Sequence, residues 1–426
     1  MREFEEHGKW WLPGKEEFSV PGTIRNSQEG TTLTLLGGFA EALGPFGKED
    51  ANYSRIHGYA SNKSYTLEDC FQRKVTKTGE FTTQVIFANQ VFRNALFDPS
   101  EQLGGVGVVF IPRFVNHWVN KFGITERIQD PAIGNSASLD PRITLSGREI
   151  PPVRVGLPDG AHLDLRHRLY LSGDGITERS IRQEFYFHYE AQSVKSTEEL
   201  LNVASHVQDL VSIGTNRVAQ FEELSFLHPD IRYGPKDPMQ PIEFYARWNA
   251  WRNGPVKTPT RMVFSLDVLG GLPTVAEWIR VASANRMALA RIMGGRYVES
   301  MPLSDRLLNR AAALESFDRW KHGDRIEFRH RMARCANFAG AQFMKMTGDR
   351  AKWARLVKLD RDHVAHNLGS GRENSEQYFL TESLYWLAVI CLLKEAKAPK
   401  PVFESIANYP EFQWLCGKVR SVVRAG

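Results

Sequence analysis

Long apolar runs are missing from this chain of 426 residues. The longest, Leu384–Leu393, is about half of what a bilayer-crossing helix needs, so no transmembrane segment is expected. The start, MREFEEHGKWWLPGKEEF, is acidic and aromatic and has no basic segment followed by an apolar one. That argues against a secretory leader, and a soluble, cytoplasmic protein is the expectation. Cysteine is scarce: Cys70, Cys335, Cys391 and Cys416 are scattered without paired spacing. Such placement excludes a disulfide framework and a zinc ribbon and implies buried, reduced thiols. There is no phosphate-cradling glycine loop, no Gly-x-Ser-x-Gly turn, no internal repeat and no low-complexity tract. His57, His117, His162 and His167 have no metal-ligand spacing, and the C-terminal acids do not cluster as a metal-dependent nuclease requires. No cofactor and no metal are expected.

What the chain does hold is aromatic bulk, with ten Trp and 25 Phe, and a length that calls for two or three domains. Charge is unevenly placed. Residues 301–426 carry 21 Lys+Arg against 14 Asp+Glu, whereas the preceding 300 carry 33 against 35. Between Arg325 and Arg361 ten basic residues face three acidic ones. This asymmetry fits a C-terminal part that meets a polyanion, and it equally fits a solvated basic helix face.

The first 190 residues or so read as strands: Thr31–Leu36, Ser64–Leu67, Thr82–Phe87, Val106–Ile111, Val153–Val155, His167–Leu171 and Glu184–Tyr189 are short apolar or alternating runs between turn residues. Gly37-Gly38 and Asp130–Pro141 read as loops. Ser196, in Ser-Thr-Glu-Glu, caps a predicted helix, Ile242–Tyr245 and Arg261–Leu266 look strand-like, and Thr274–Met293 looks helical. From about residue 296 only helices are expected. Ser304 caps the first, Phe328 to Met346 forms a second, Arg350–Asn367 a third ending at Leu368-Gly369-Ser370-Gly371, Ser375–Lys397 a buried fourth, and Phe403–Val423 a fifth broken at Pro410. The fold class is therefore α+β and multidomain: a β-rich part with a few helices over 1–295, then an all-α bundle over 296–426.

The third helix ends Asp360-Arg361-Asp362-His363-Val364-Ala365-His366-Asn367. A helical step of about 100° per residue puts Asp362 and His366 on one face, so the carboxylate can fix the tautomer of the ring. Arg361 and His366 stand roughly 140° apart, a gap that a long guanidinium fork can partly bridge. Histidine can move a proton at a ribose hydroxyl or a leaving oxygen, and arginine can steady charge on phosphoryl oxygens. These groups suit metal-free cleavage of RNA.

Arg361-Asp362-x-x-x-His366 resembles the Rx4–6H signature of the HEPN superfamily, and the helix with Ala313-Leu314-Glu315 resembles the opening of a HEPN domain. At the front, Gly8-Lys9-Trp10-Trp11-Leu12-Pro13, Pro21-Gly22-Thr23-Ile24, Leu33-Thr34-Leu35-Leu36-Gly37-Gly38 and Tyr65-Thr66-Leu67-Glu68-Asp69-Cys70 are similar to the N-terminal domain of ApeA-like proteins. The resemblance spans nearly the whole chain. It implies an anti-phage protein of abortive infection whose HEPN domain is an endoribonuclease acting by 2′-hydroxyl attack, under an N-terminal sensor or regulator. It also implies RNA as substrate, a phage-derived trigger, and a homodimer or higher homo-oligomer formed through the C-terminal bundle.

Arg361 and His366 are thus the expected catalytic pair, with Asp362 orienting the histidine; His363, Asn367, Arg355 and Lys358 are expected at the substrate. Each has a plainer reading. Arg361 can be a surface arginine, His366 a helix-capping histidine and Asp362 half of a local ion pair. His363 and His366 could share a metal, but no third or fourth ligand is evident. Asn367 can simply end the helix. Arg350 and Lys352, like Arg355 and Lys358, can be solvated or can hold an RNA backbone. Trp10 and Trp11 suit packing between strands better than stacking on a base. A non-catalytic bundle that only grips RNA or a protein is the alternative function.

Overall fold

The computed structural model describes residues 3–39, 51–79, 81–98, 100–129, 142–246, 258–298, 300–367 and 372–426. It divides into two compact units: residues 1–113, 123–204 and 220–258, and residues 114–122, 205–219 and 259–426.

In the first unit β1 (Phe4–Trp11), β2 (Val20–Ser27), β3 (Gly30–Leu36), β4 (Asn52–Ala60), β5 (Lys63–Thr78) and β6 (Phe81–Arg93) pair antiparallel in the order β6–β3–β2–β1–β4–β5, and β5 pairs again with β6. The ring is closed, which removes strand edges. Its interior follows from the two-residue alternation of strands: Ile24, Leu33, Leu35, Ile56, Tyr65, Leu67 and Ile86 are fully buried around Trp10. Packing is the role of Trp10, which lies 5.5 Å from the Tyr65 ring; Trp11 is buried beside His57. A Cβ on Gly58 would fall 2.1 Å from the Trp10 ring, so that strand position accepts only glycine.

β6 is long enough to belong to two assemblies. Its first part pairs with β3 and its last residues with β14 (Ile242–Ala246). From there the sheet continues through β13 (Phe221–Leu227), β7 (Gly104–Pro112), β12 (Ser180–Ser196), β11 (His162–Ser172) and β10 (Val153–Gly156). β8 (Ile124–Gln129) and β9 (Arg142–Gly147) form a separate ribbon.

The helices, in chain order, are α1 (Val115–Val119), α2 (Thr197–Thr215), α3 (Leu266–Leu269), α4 (Leu272–Ala284), α5 (Arg286–Tyr297), α6 (Leu303–His322), α7 (Phe328–Ala339), α8 (Ala341–Thr347), α9 (Arg350–Asn367), α10 (Asn374–Glu395), α11 (Lys400–Asn408) and α12 (Pro410–Ala425). The capping box of α2 is present: Ser196 Oγ accepts the Glu199 N–H, and Glu199 accepts the Ser196 N–H. α10 is buried nearly all round and packs against α4, α6, α7 and α12. All four cysteines are buried and free.

Several expected boundaries are corrected. Arg261–Leu266 is not a strand; Ser265 Oγ accepts the Val268 N–H and starts α3. Thr274–Met293 is two helices, because the Asn285 side chain bonds the Val281 carbonyl and interrupts the ladder. Phe328–Met346 is likewise two, divided at Gly340, whose φ of 79° and ψ of −144° no helix contains. Ser304 lies inside α6, which begins after Pro302. The change from strands to helices comes earlier than residue 296, which lies within α5, a helix packed on α6. The loop expected at 130–141 and the helix stop at 368–371 lie outside the described residues.

Candidate functional site

Asp349 opens α9, its carboxylate accepting the Lys352 N–H at 2.9 Å. One stripe of the helix, Trp353, Leu356, Val357, Asp360 and Val364, is buried at helical spacing. Trp353 is fixed further by a bond from its Nε1 to Ser383 Oγ at 2.9 Å and by the edge of Phe343 at 4.9 Å. The opposite face carries Arg355, the 54 % exposed Leu359 and His366, with Asp362 and His363 half-buried beside them.

The motif residues take distinct positions. Arg361 is half-buried; its guanidinium lies over the Phe328 ring, 4.8 Å from the centroid, and Nη1 donates to Asp362 at 3.1 Å. Asp362 also accepts from Lys358. Partial burial pushes the Asp362 carboxyl upward, and Lys358 and Arg361 outweigh it, leaving its pKa below the ordinary value. The bond expected from Asp362 to His366 is not made: the carboxylate is spent on these two cations. Lys358 and His366 are both four residues from Asp362, one on each side along the helix, and the carboxylate takes Lys358. The His366 ring is exposed, with no hydrogen-bond partner among the described residues.

Asp360 points inward, nine-tenths buried, and accepts the Arg372 Nε–H at 3.0 Å. Burial raises its pKa against the pull of Arg372. This pair, joining α9 to the start of α10, leaves no sequence signal because its members are twelve residues apart. Arg355 and Lys352 reach carbonyls at the end of α12, Gly426 at 3.5 Å and Arg424 at 3.0 Å, where the helix dipole favours cations. Asn367 closes α9, and its side chain lies outside the described residues. Among the described residues the group with metal-like spacing is Glu101, His228 and Asp230 in the first unit; His363 and His366 belong to none.

Not all of the basic excess is free for a polyanion. Arg331 is 2 % exposed, and with Arg334 it holds the buried Asp318 of α6, at 3.0 and 2.6 Å. Both also tie the turn between α6 and α7, Arg331 through the Asp324 carbonyl and Arg334 through the Asp324 carboxylate. Arg325, Arg329 and His330 remain exposed around Phe328.

Chemically, α9 ends with an exposed imidazole and a cation that, among the described residues, has donors to spare. A family model described as ApeA N-terminal domain 1 matches residues 5–278. No curated protein and no solved structure matches the chain.

Proposed function

The chain belongs to the ApeA N-terminal domain 1 family, and on that premise we propose that it is an anti-phage defence protein whose helical part cleaves cellular RNA. The observation that carries this reading is that the end of α9 holds an exposed His366 and, five residues before it, an Arg361 whose Nε and Nη2 have no partner among the described residues. In the proposed reaction His366 accepts the proton of a ribose 2′-hydroxyl as its oxygen attacks the adjacent phosphorus. The bond to the 5′-oxygen breaks, that oxygen takes a proton, and a 2′,3′-cyclic phosphate and a 5′-hydroxyl result. Arg361 balances the charge that builds on the phosphoryl oxygens.

The HEPN reading of residues 296–426 rests on the Arg361/His366 spacing and the helical bundle around it. Pairing of two chains through this face would bring a second His366 to protonate the leaving oxygen. The exposed Leu359, one and two turns ahead of His363 and His366, supports such a covered face. The β-rich part is the proposed sensor of a phage-derived trigger. One observation favours the alternative of a non-catalytic RNA- or protein-gripping bundle: Asp362 holds Lys358 and Arg361, not the His366 ring.

Sequencing of RNA ends in cells expressing the wild type or His366→Ala, with and without phage, tests the proposal. New ends bearing 2′,3′-cyclic phosphate in the wild type alone are expected, and the purified chain should cut RNA in excess EDTA. Ends bearing 5′-phosphate, a strict Mg²⁺ requirement, or unchanged ends in His366→Ala would overturn it.

A further inference from the structure

We propose that Phe328 is a positioning residue for Arg361, holding its guanidinium where the cleavage proposed above needs it. The inference rests on that reading and adds a residue that the Arg361/His366 pattern does not contain. Phe328 is the first residue of α7, 8 % exposed, and its ring faces the guanidinium at 4.8 Å. A ring attracts a cation through its π face, so it fixes the plane of the guanidinium without accepting any of its in-plane N–H groups. A carboxylate in the same place would consume two of them. Of the arginine's nitrogens, Nη1 is given to Asp362, and Nε and Nη2 have no partner among the described residues. The ring therefore orients Arg361 and leaves a donor edge for phosphoryl oxygens.

Phe328 is itself held. The turn ahead of it is tied by Arg331 to the Asp324 carbonyl at 2.8 Å and by Arg334 to the Asp324 carboxylate at 2.7 Å. Both arginines anchor on Asp318, whose side chain is fully buried. The ring thus stands on a fixed turn, which preorganisation of a charge-stabilising group requires.

The test uses the full chain and a fluorophore–quencher single-stranded RNA oligonucleotide. Phe328→Leu stays apolar at a somewhat smaller volume and loses the π face; Phe328→Tyr keeps the ring. The leucine variant should lose about tenfold in kcat with KM little changed, while the tyrosine variant cuts like the wild type and both stay folded at the assay temperature. A leucine variant as fast as the wild type, beside an inactive Arg361→Ala, overturns the positioning role and leaves the cleavage reading intact. Equal losses in the leucine and tyrosine variants that follow the melting temperature also overturn it, since packing alone would explain them. Arg361→Ala or His366→Ala cutting at the wild-type rate, or a wild type that does not cut, overturns the cleavage reading itself and this inference with it.

Discussion

Arg93 in the barrel and Arg361 in the helical unit begin from the same device, a guanidinium laid over a phenylalanine at 4.7 and 4.8 Å, and end with opposite uses. Arg93 is 8 % exposed, and each of its nitrogens donates: Nε to the Tyr65 hydroxyl, Nη1 to Glu243 at 2.9 Å, Nη2 to Glu6. Three of its five N–H groups are thereby committed to the barrel's own side chains. Arg361 meets one carboxylate among the described residues and is 37 % exposed. The ring holds the cation in both places; the number of acids around it decides whether the cation serves the fold or stays available.

The sharpest way to break this contrast is to remove both cations. Arg361→Met should leave urea unfolding of the chain nearly unchanged and lower the proposed RNA cleavage by a factor of roughly 100 to 1,000. Arg93→Met strands Glu6 and Glu243 beside a barrel core and should cost about 3–5 kcal/mol in the same unfolding experiment. Equal unfolding penalties for the two would end the distinction.

A buried acid with no cation partner among the described residues extends the contrast. Asp209 of α2 is buried, is bonded by the Tyr297 hydroxyl, and burial pushes its pKa up to about 7. Its folded value is above the unfolded one near 3.8, so this group favours the fold most below about pH 4. That contribution declines as pH rises and is gone above about 7, where the folded state must carry a buried charge. Asp209→Asn should therefore stabilise the protein more at pH 8 than at pH 4, by at most about 4 kcal/mol. Urea midpoints that differ equally at both values would refute the assignment.

The smallest effect belongs to Lys358, half-exposed and paired with Asp362 one turn away. Such pairs contribute about 0.3–0.5 kcal/mol, so Lys358→Met should leave the melting temperature almost where it was. A drop as large as that for Arg93→Met would show the motif to be a structural ion cluster.

What could be read from sequence was local. α9 and α10 stand close to where Gly348-Asp349, the apolar spacing and Pro399 put them, because caps and periodicity act within a turn or two. Asn285 and Gly340 broke two expected helices through side-chain competition and a φ/ψ pair that periodicity does not register. Closure of β5 onto β6, and the departure of β6 toward β14, are pairings between distant segments with no local signature. The Arg361/His366 motif was visible at once. Its surroundings were not: Phe328 lies 33 residues before the arginine its ring faces, and of two equally spaced neighbours Asp362 takes Lys358.

The double membership of β6 has a consequence in time. Arg93 bonds Glu6, which precedes it by 87 residues, and Glu243, which follows by 150. A chain leaving the ribosome can close its barrel soon after residue 93 is made. The far end of β6 then waits for β14 while those 150 residues are translated, roughly 8–30 s at ordinary elongation rates. For that interval a cation destined for burial is half-neutralised, and the strand beside it shows open backbone groups to any passing chain. Slow completion of the sheet, set by its topology more than by its stability, is built into where this strand sits.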